Sequence, residues 1–135
     1  MTRICLDSNV LGAAFAARGL CADVLKLVLS DYDLVLPEVV AEEVQRILTS
    51  KLKLSHDALS SVKAVLERCP RVPKGDEPCP ISLRDPDAER VLADAISAGA
   101  EILVSGDQDL LVAAGESPIR ILSPRAFLMI TRGSL

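Results

Sequence analysis

The chain has 135 residues and a formal net charge of −4; half of it is hydrophobic but only 2% is aromatic, with two Phe, one Tyr and no Trp. That length suits a single domain with a proper core. The scarcity of aromatic rings argues against a base-stacking platform, and the acidic balance against a protein that coats nucleic acid through its overall charge.

Residues 3–6 read as a short buried strand, followed by a helix over 8–18 for which Ser8 is a competent cap. Gly19 interrupts, and a second helix is predicted over about 20–30. Asp31-Tyr32-Asp33 forms a turn into an apolar strand over 34–36. Pro37 then opens a helix that runs to about residue 50, since Pro suits the first helical position. Another helix is expected over about 56–68 behind Ser55, with Leu59, Val62, Val65 and Leu66 facing inward. Residues 69–80 hold four prolines and a glycine and form a loop, with room for a short strand near Arg71-Val72. Pro86 starts a helix over about 86–99 that stops at Gly99. A strand over 102–104, a turn and short helix over 107–114, a strand over 119–122 and a helix over 124–131 complete the chain.

Short apolar strands without alternation, each followed by a helix, predict an α/β fold: a three-layer α/β/α sandwich around a central parallel sheet. No repeat or linker divides it, so residues 1–135 are expected to form one domain. The cysteines Cys5, Cys21, Cys69 and Cys79 contain no C-x-x-C pair, and one histidine cannot complete a zinc set. Reduced thiols and a cytoplasmic location are the expectation. Neither a signal peptide nor an apolar run of membrane-spanning length is visible, so no membrane association is expected.

In open parallel sheets, sites form beyond the carboxyl ends of the strands. Two strands here end on an acid at that side: Ile4-Cys5-Leu6-Asp7-Ser8-Asn9 and Ile102-Leu103-Val104-Ser105-Gly106-Asp107. Asp7 could be only a cap, but Ser8 and Asn9 are competent caps too, and three such residues exceed what one helix start requires. Glu43 and its neighbour Glu42 can be compared on a helical wheel. Glu42 falls opposite the apolar stripe, where pairing with Arg46 at i,i+4 is expected, whereas Glu43 lies at the stripe's edge between Val40 and Ile47. A carboxylate bordering the core needs a partner, so Glu43 is the favoured functional acid, against the bland reading of a solvated side chain.

In Arg84-Asp85-Pro86-Asp87, Asp85 is an ordinary N-cap candidate, but the wheel turns Asp85 and Glu89 toward the buried face and Asp87 and Asp94 away. Asp107 could be a simple strand terminator, yet Gly106 permits close backbone approach and Ser105 lies beside it. Asp109 is expected to cap the short helix that follows. Carboxylates gathered at one sheet edge repel each other unless cations lie between them. All-oxygen ligands suit Mg²⁺ or Mn²⁺, which can activate water and stabilise an in-line phosphoryl displacement. Asp7, Glu43, Asp85 and Asp107 are therefore the candidate metal ligands and catalytic residues, with Asp87 and Glu89 as further ligands and Asn9, Ser105 and Asp109 in support.

Taken in order, Leu6-Asp7-Ser8-Asn9, Glu42-Glu43-Val44-Gln45-Arg46-Ile47-Leu48, Arg84-Asp85-Pro86-Asp87 and Val104-Ser105-Gly106-Asp107-Gln108-Asp109-Leu110-Leu111 resemble the PIN domain family, and within it the bacterial and archaeal toxins of toxin–antitoxin pairs. The resemblance covers nearly the whole chain. It implies a parallel sheet in the order 3-2-1-4-5, metal-dependent cleavage of RNA, often a homodimer and, for VapC-type members, inhibition by an antitoxin protein. The third motif departs from the family: where members often read Asp-Pro-Asp-Asp, the last position here is Ala88, on the inward face of its helix. That departure favours the alternative of a degenerate PIN-like module binding RNA or a partner without catalysis. A phosphatase-like or response-regulator-like domain is a weaker third reading, because only arginines supply positive charge after Val104. From Arg46 to Lys74 there are seven Lys or Arg against two acids, a stretch that could hold RNA phosphates, form a solvated hairpin, or dock an antitoxin or second subunit.

Overall fold

The structure is a computed structural model, described over residues 2–131. Five strands, β1 (Arg3–Leu6), β2 (Asp33–Pro37), β3 (Arg71–Val72), β4 (Ile102–Val104) and β5 (Arg120–Leu122), form one sheet in the order β3-β2-β1-β4-β5. Every pairing is parallel, as the apolar, non-alternating strands predict. The helices are α1 (Ser8–Ala16), α2 (Leu20–Asp31), α3 (Glu38–Arg46), α4 (His56–Glu67), α5 (Pro86–Ser97), α6 (Gln108–Val112) and α7 (Pro124–Thr131). Among the described residues, no helix is long and apolar enough to cross a membrane.

The centre of the sheet is also the centre of the core. Ile4, Cys5, Leu6, Leu103 and Val104 are completely buried between helices on both faces. In the register, Cys5 lies opposite both Val35 and Leu103, and Leu6 opposite Val104. The chain moves from β1 outward to β2 and β3, then returns to β4 on the other side of β1. The crevice between the ends of β1 and β4 is thus the place where strand order reverses. There the Asp7 N–H donates to the Val104 carbonyl (2.9 Å), and the Ser105 N–H donates to Leu122 (3.0 Å).

Several elements differ from expectation. Pro37 does not open a helix: its backbone is extended (φ −59°, ψ 142°), it pairs with Val72 in the ladder, and it stands just before α3. The helix expected to reach residue 50 is α-helical only to Arg46. It continues as a π-helical turn, Ile47–Lys51, closed by the Leu52 N–H on the Ile47 carbonyl (3.0 Å). That turn keeps Leu48 in the core and sends Lys51 out to solvent. Helix α5 stops at Ser97, and Gly99 beyond it takes the left-handed conformation (φ +79°) common after a helix end.

Asp94 is the largest departure. The wheel turned it away from the core, yet it is 1% exposed. The proline-rich segment before α5 folds over this side of the helix. The Gly75 N–H donates to Asp94 Oδ1 (3.2 Å), Arg90 Nε donates to the same oxygen (3.0 Å), and Arg90 Nη2 donates to the Glu77 carbonyl (3.0 Å). A wheel assumes water on the polar side of a helix; here a loop takes its place.

Candidate active site

Asp7 follows the last residue of β1 and is 7% exposed. Its Oδ1 accepts from the Ser8 N–H (2.8 Å), which makes Asp7 itself the cap of α1, a role expected of Ser8. Its Oδ2 accepts from the Ser105 hydroxyl (2.7 Å), and that hydroxyl oxygen in turn accepts from the Asp107 N–H (3.0 Å). Ser105, completely buried, therefore joins the ends of β1 and β4 through one oxygen atom. Burial pushes the Asp7 carboxyl above its ordinary range; the hydrogen bonds from Ser105 and Ser8 work against this, and the charge of Asp107 adds to it.

Asp107 caps α6, its Oδ1 accepting from the Asp109 N–H (2.9 Å). Asp109, expected to be that cap, sits in the first helical turn and pairs with Arg84 (3.0 Å). Asp85 is exposed rather than core-facing and caps α5 by accepting from the Asp87 N–H (2.9 Å). Glu89 is half-buried, and its Oε2 accepts from the Leu83 N–H (2.8 Å), so it braces the loop before α5. The pairing on α3 also differs from expectation. Arg46 pairs with Glu43 rather than Glu42, and Glu42 instead meets Lys74 (2.7 Å). The wheel could not show this, because Lys74 arrives from a distant loop.

These elements enclose an open cavity of about 330 Å³ beyond the ends of β1 and β4. Asp7, Glu43, Asp85 and Asp107 all line it, as do Asn9, Asp87 and Ala88. Glu89, Asp109 and Ser105 do not line it; Ser105 acts from behind Asp7. Glu42, Arg46 and Lys74 belong to its wall as well, and sequence reasoning did not assign them to the site. For Arg46 and Lys74 only the local density of positive charge pointed there.

The wall carries six carboxylates and two cations. Both cations are engaged by Glu42 and Glu43, so among the described residues Asp7, Asp85, Asp87 and Asp107 have no salt-bridge partner. No three carboxylate, thiol or imidazole groups among the described residues are gathered at ion-binding distance as placed. The donor set nonetheless suits a hard divalent cation: it is all oxygen, and each Asp7 oxygen spends one acceptor position of two on its protein partner.

The sequence profile described as "PIN domain" matches residues 3–109. The chain belongs to the PIN domain family. The matched span runs from β1 past β4 and includes every carboxylate of the cavity. The fold of this PIN domain is similar to that of a chain in the crystal structure of VapBC2 from Rickettsia felis bound to a DNA fragment from their promoter. The TM-score is 0.65 at 15% identity, over 90% of this chain and 98% of that one. At this identity the likeness is one of fold. No curated protein matches the chain. In this PIN domain Ala88, 6% exposed, lies in the cavity wall.

Proposed function

We propose that this PIN domain is a metal-dependent endoribonuclease, the cytoplasmic toxin of a toxin–antitoxin pair, and that it hydrolyses RNA phosphodiesters in the cavity beyond β1 and β4. The observation that carries the proposal is the convergence of Asp7, Glu43, Asp85 and Asp107 on one cavity in which most carboxylates have no cationic partner among the described residues. Such an excess of negative charge is costly in isolation and suits a site for Mg²⁺ or Mn²⁺. Bound there, the ion supplies Lewis acidity toward the phosphodiester and lowers the pKa of water.

The protein's own part is positioning. Ser105 and the Ser8 N–H fix both oxygens of Asp7, so the central carboxylate cannot turn away. Asp107 is held differently: its backbone N–H donates to the Ser105 hydroxyl oxygen, and its carboxylate Oδ1 accepts from the Asp109 N–H. Asp85, which caps α5 through one oxygen, and Asp87 stand at the exposed mouth, and Asn9 offers an amide at the rim. Arg46 pairs with Glu43 at the wall. The likeness in fold to a chain of a VapBC complex supports an antitoxin protein as partner, and the protein is proposed to act as a homodimer.

The test is cleavage of a mixed RNA pool with Mg²⁺ or Mn²⁺ by the wild type and by Asp7→Asn. The wild type is expected to cleave and the variant to lose about 100-fold or more, the scale on which removal of one essential electrostatic group acts. Equal activity in both would sink the proposal. Ala88 favours a second reading, a degenerate module that binds RNA or a partner without catalysis. Calorimetric titration with Mn²⁺ across roughly pH 6–8 separates the two, since ligand carboxylates must be ionised to bind. Saturable binding supports the nuclease, and its absence supports the degenerate module.

A further inference from the structure

The inference rests on the RNA-cleaving reading above and concerns how so acidic a cavity accepts a polyanion. Lys74 belongs to the proline-rich segment between β3 and α5, and with Arg46 it supplies the positive charge of the wall. The two cations are not equivalent. Arg46 holds Glu43, a candidate ion ligand, whereas Lys74 holds Glu42, which is outside that set. The Lys74–Glu42 pair is about half exposed on both sides, so it is weak and readily exchanged for another anion.

What holds Lys74 at the cavity is unusual. The next residue, Gly75, donates its N–H to Asp94, a carboxylate that is 1% exposed and whose Oδ2 is buried with no hydrogen-bond partner among the described residues. Burial of a charged group with an unsatisfied oxygen is costly, and the apolar packing of α5 does not require it. Its visible effect is on the loop. Asp94 fixes Gly75 directly, and through Arg90 it fixes the Glu77 carbonyl. The fit at Gly75 is close, because a Cβ there would lie 3.1 Å from Asp94 Oδ1.

We propose that Lys74 is a substrate-binding residue whose ammonium leaves Glu42 for an RNA backbone phosphate beside the scissile one, and that buried Asp94, with Arg90 beside it, is the latch that positions it. Asp94 is thus a positioning residue, acting through the backbone of Gly75.

The test measures binding of labelled single-stranded RNA to the full chain carrying Asp7→Asn, in Mg²⁺, over a series of salt concentrations. Adding Lys74→Gln is expected to weaken binding by ~3–10-fold and to lower the slope of log affinity against log salt by ~0.7, the loss of one phosphate contact on a single strand. Mn²⁺ affinity, read by calorimetry on the otherwise wild-type chain, is expected to be the same with and without Lys74→Gln. Asp94→Asn is expected to weaken RNA binding when Lys74 is present and to have no further effect once Lys74→Gln is in place. Gly75→Ala crowds the same contact and repeats the measurement if Asp94→Asn does not fold. Unchanged affinity and slope in Lys74→Gln, with a parent that binds RNA, overturns the role of Lys74 alone. An equal effect of Asp94→Asn in both backgrounds overturns the latch. Absence of both RNA binding by the parent and cleavage by the wild type overturns the nuclease reading and this inference together.

Discussion

Ser105 carries more of the site than its size suggests. Its single oxygen donates to Asp7 and accepts from the backbone of Asp107, so one hydroxyl sets the spacing of the two strand-end acids. Ser105→Ala is expected to reduce cleavage by ~10–100-fold, the usual effect of removing a partner behind a metal ligand, with little loss of fold; single-turnover assays check it. Asp7 makes an opposite prediction for stability. Its folded pKa is raised, so the favourable contribution of protonating it is present at low pH and is lost as pH rises through the folded value. At neutral pH and without metal the ionised side chain is a burden. Asp7→Asn is expected to raise the metal-free melting temperature by a few degrees, about what ~1 kcal/mol gives in a domain of this size, and the gain is expected to vanish in acid. Scanning calorimetry in chelator from neutral pH down to the carboxylate range checks both sign and window. Ala88→Asp places an acid in the first turn of α5, where the helix dipole welcomes it, and is expected to tighten Mn²⁺ binding on the order of tenfold by calorimetry. Asp7 and Asp107 were legible because each follows the end of an apolar strand, Asp7 directly and Asp107 after Ser105-Gly106. Ser105 was only a neighbour of Asp107 in sequence; its bridge needs the register of β1 against β4.

Helices α3 and α5 show where periodicity is sufficient and where it is not. On α3 and the π-helical turn that continues it the apolar stripe is real: Val40, Val44 and Leu48 are completely buried, and Glu43 lies at its edge, facing the cavity. The partners of its acids were not legible, since Lys74 reaches Glu42 from more than thirty residues away. On α5 the wheel placed Ala88 and Leu92 correctly but assigned Asp94 to water, because it has no knowledge of a covering loop. Within α5 itself Asp94 pairs with Arg90, and that ion pair is buried on the Asp94 side and can be broken from the other. Arg90→Ala is expected to cost about 2–3 kcal/mol, near the low end for such a break because Arg90 is itself 27% exposed. Urea unfolding should show a lower midpoint with an unchanged slope.

For the molecule as a whole, charge and topology act together. The strand order that reverses between β1 and β4 brings Asp7 and Asp107 together from opposite ends of the sequence. An alternating α/β pattern was legible from the chain, but the order of the strands came only with the family resemblance. Pattern fixes which residues are strands and not which strands are neighbours. A cavity this acidic should couple folding to cations. Mg²⁺ or Mn²⁺ at ~100 times its dissociation constant is expected to stabilise the wild type by ~2.7 kcal/mol and Asp7→Asn far less, as thermal melts with and without the ion will show.

The two rims of the sheet complete the picture. β3 is two residues long and lies between Pro70 and Pro73; β5 is three residues long and lies between Pro118 and Pro124. Proline presents no N–H to a neighbouring strand, so a foreign chain finds almost no free ladder at either margin. The sheet cannot readily be lengthened by strand addition. A partner that recognises this protein must read its helices or enter its cavity, and crowded copies of the folded chain have little opportunity to zip together edge to edge.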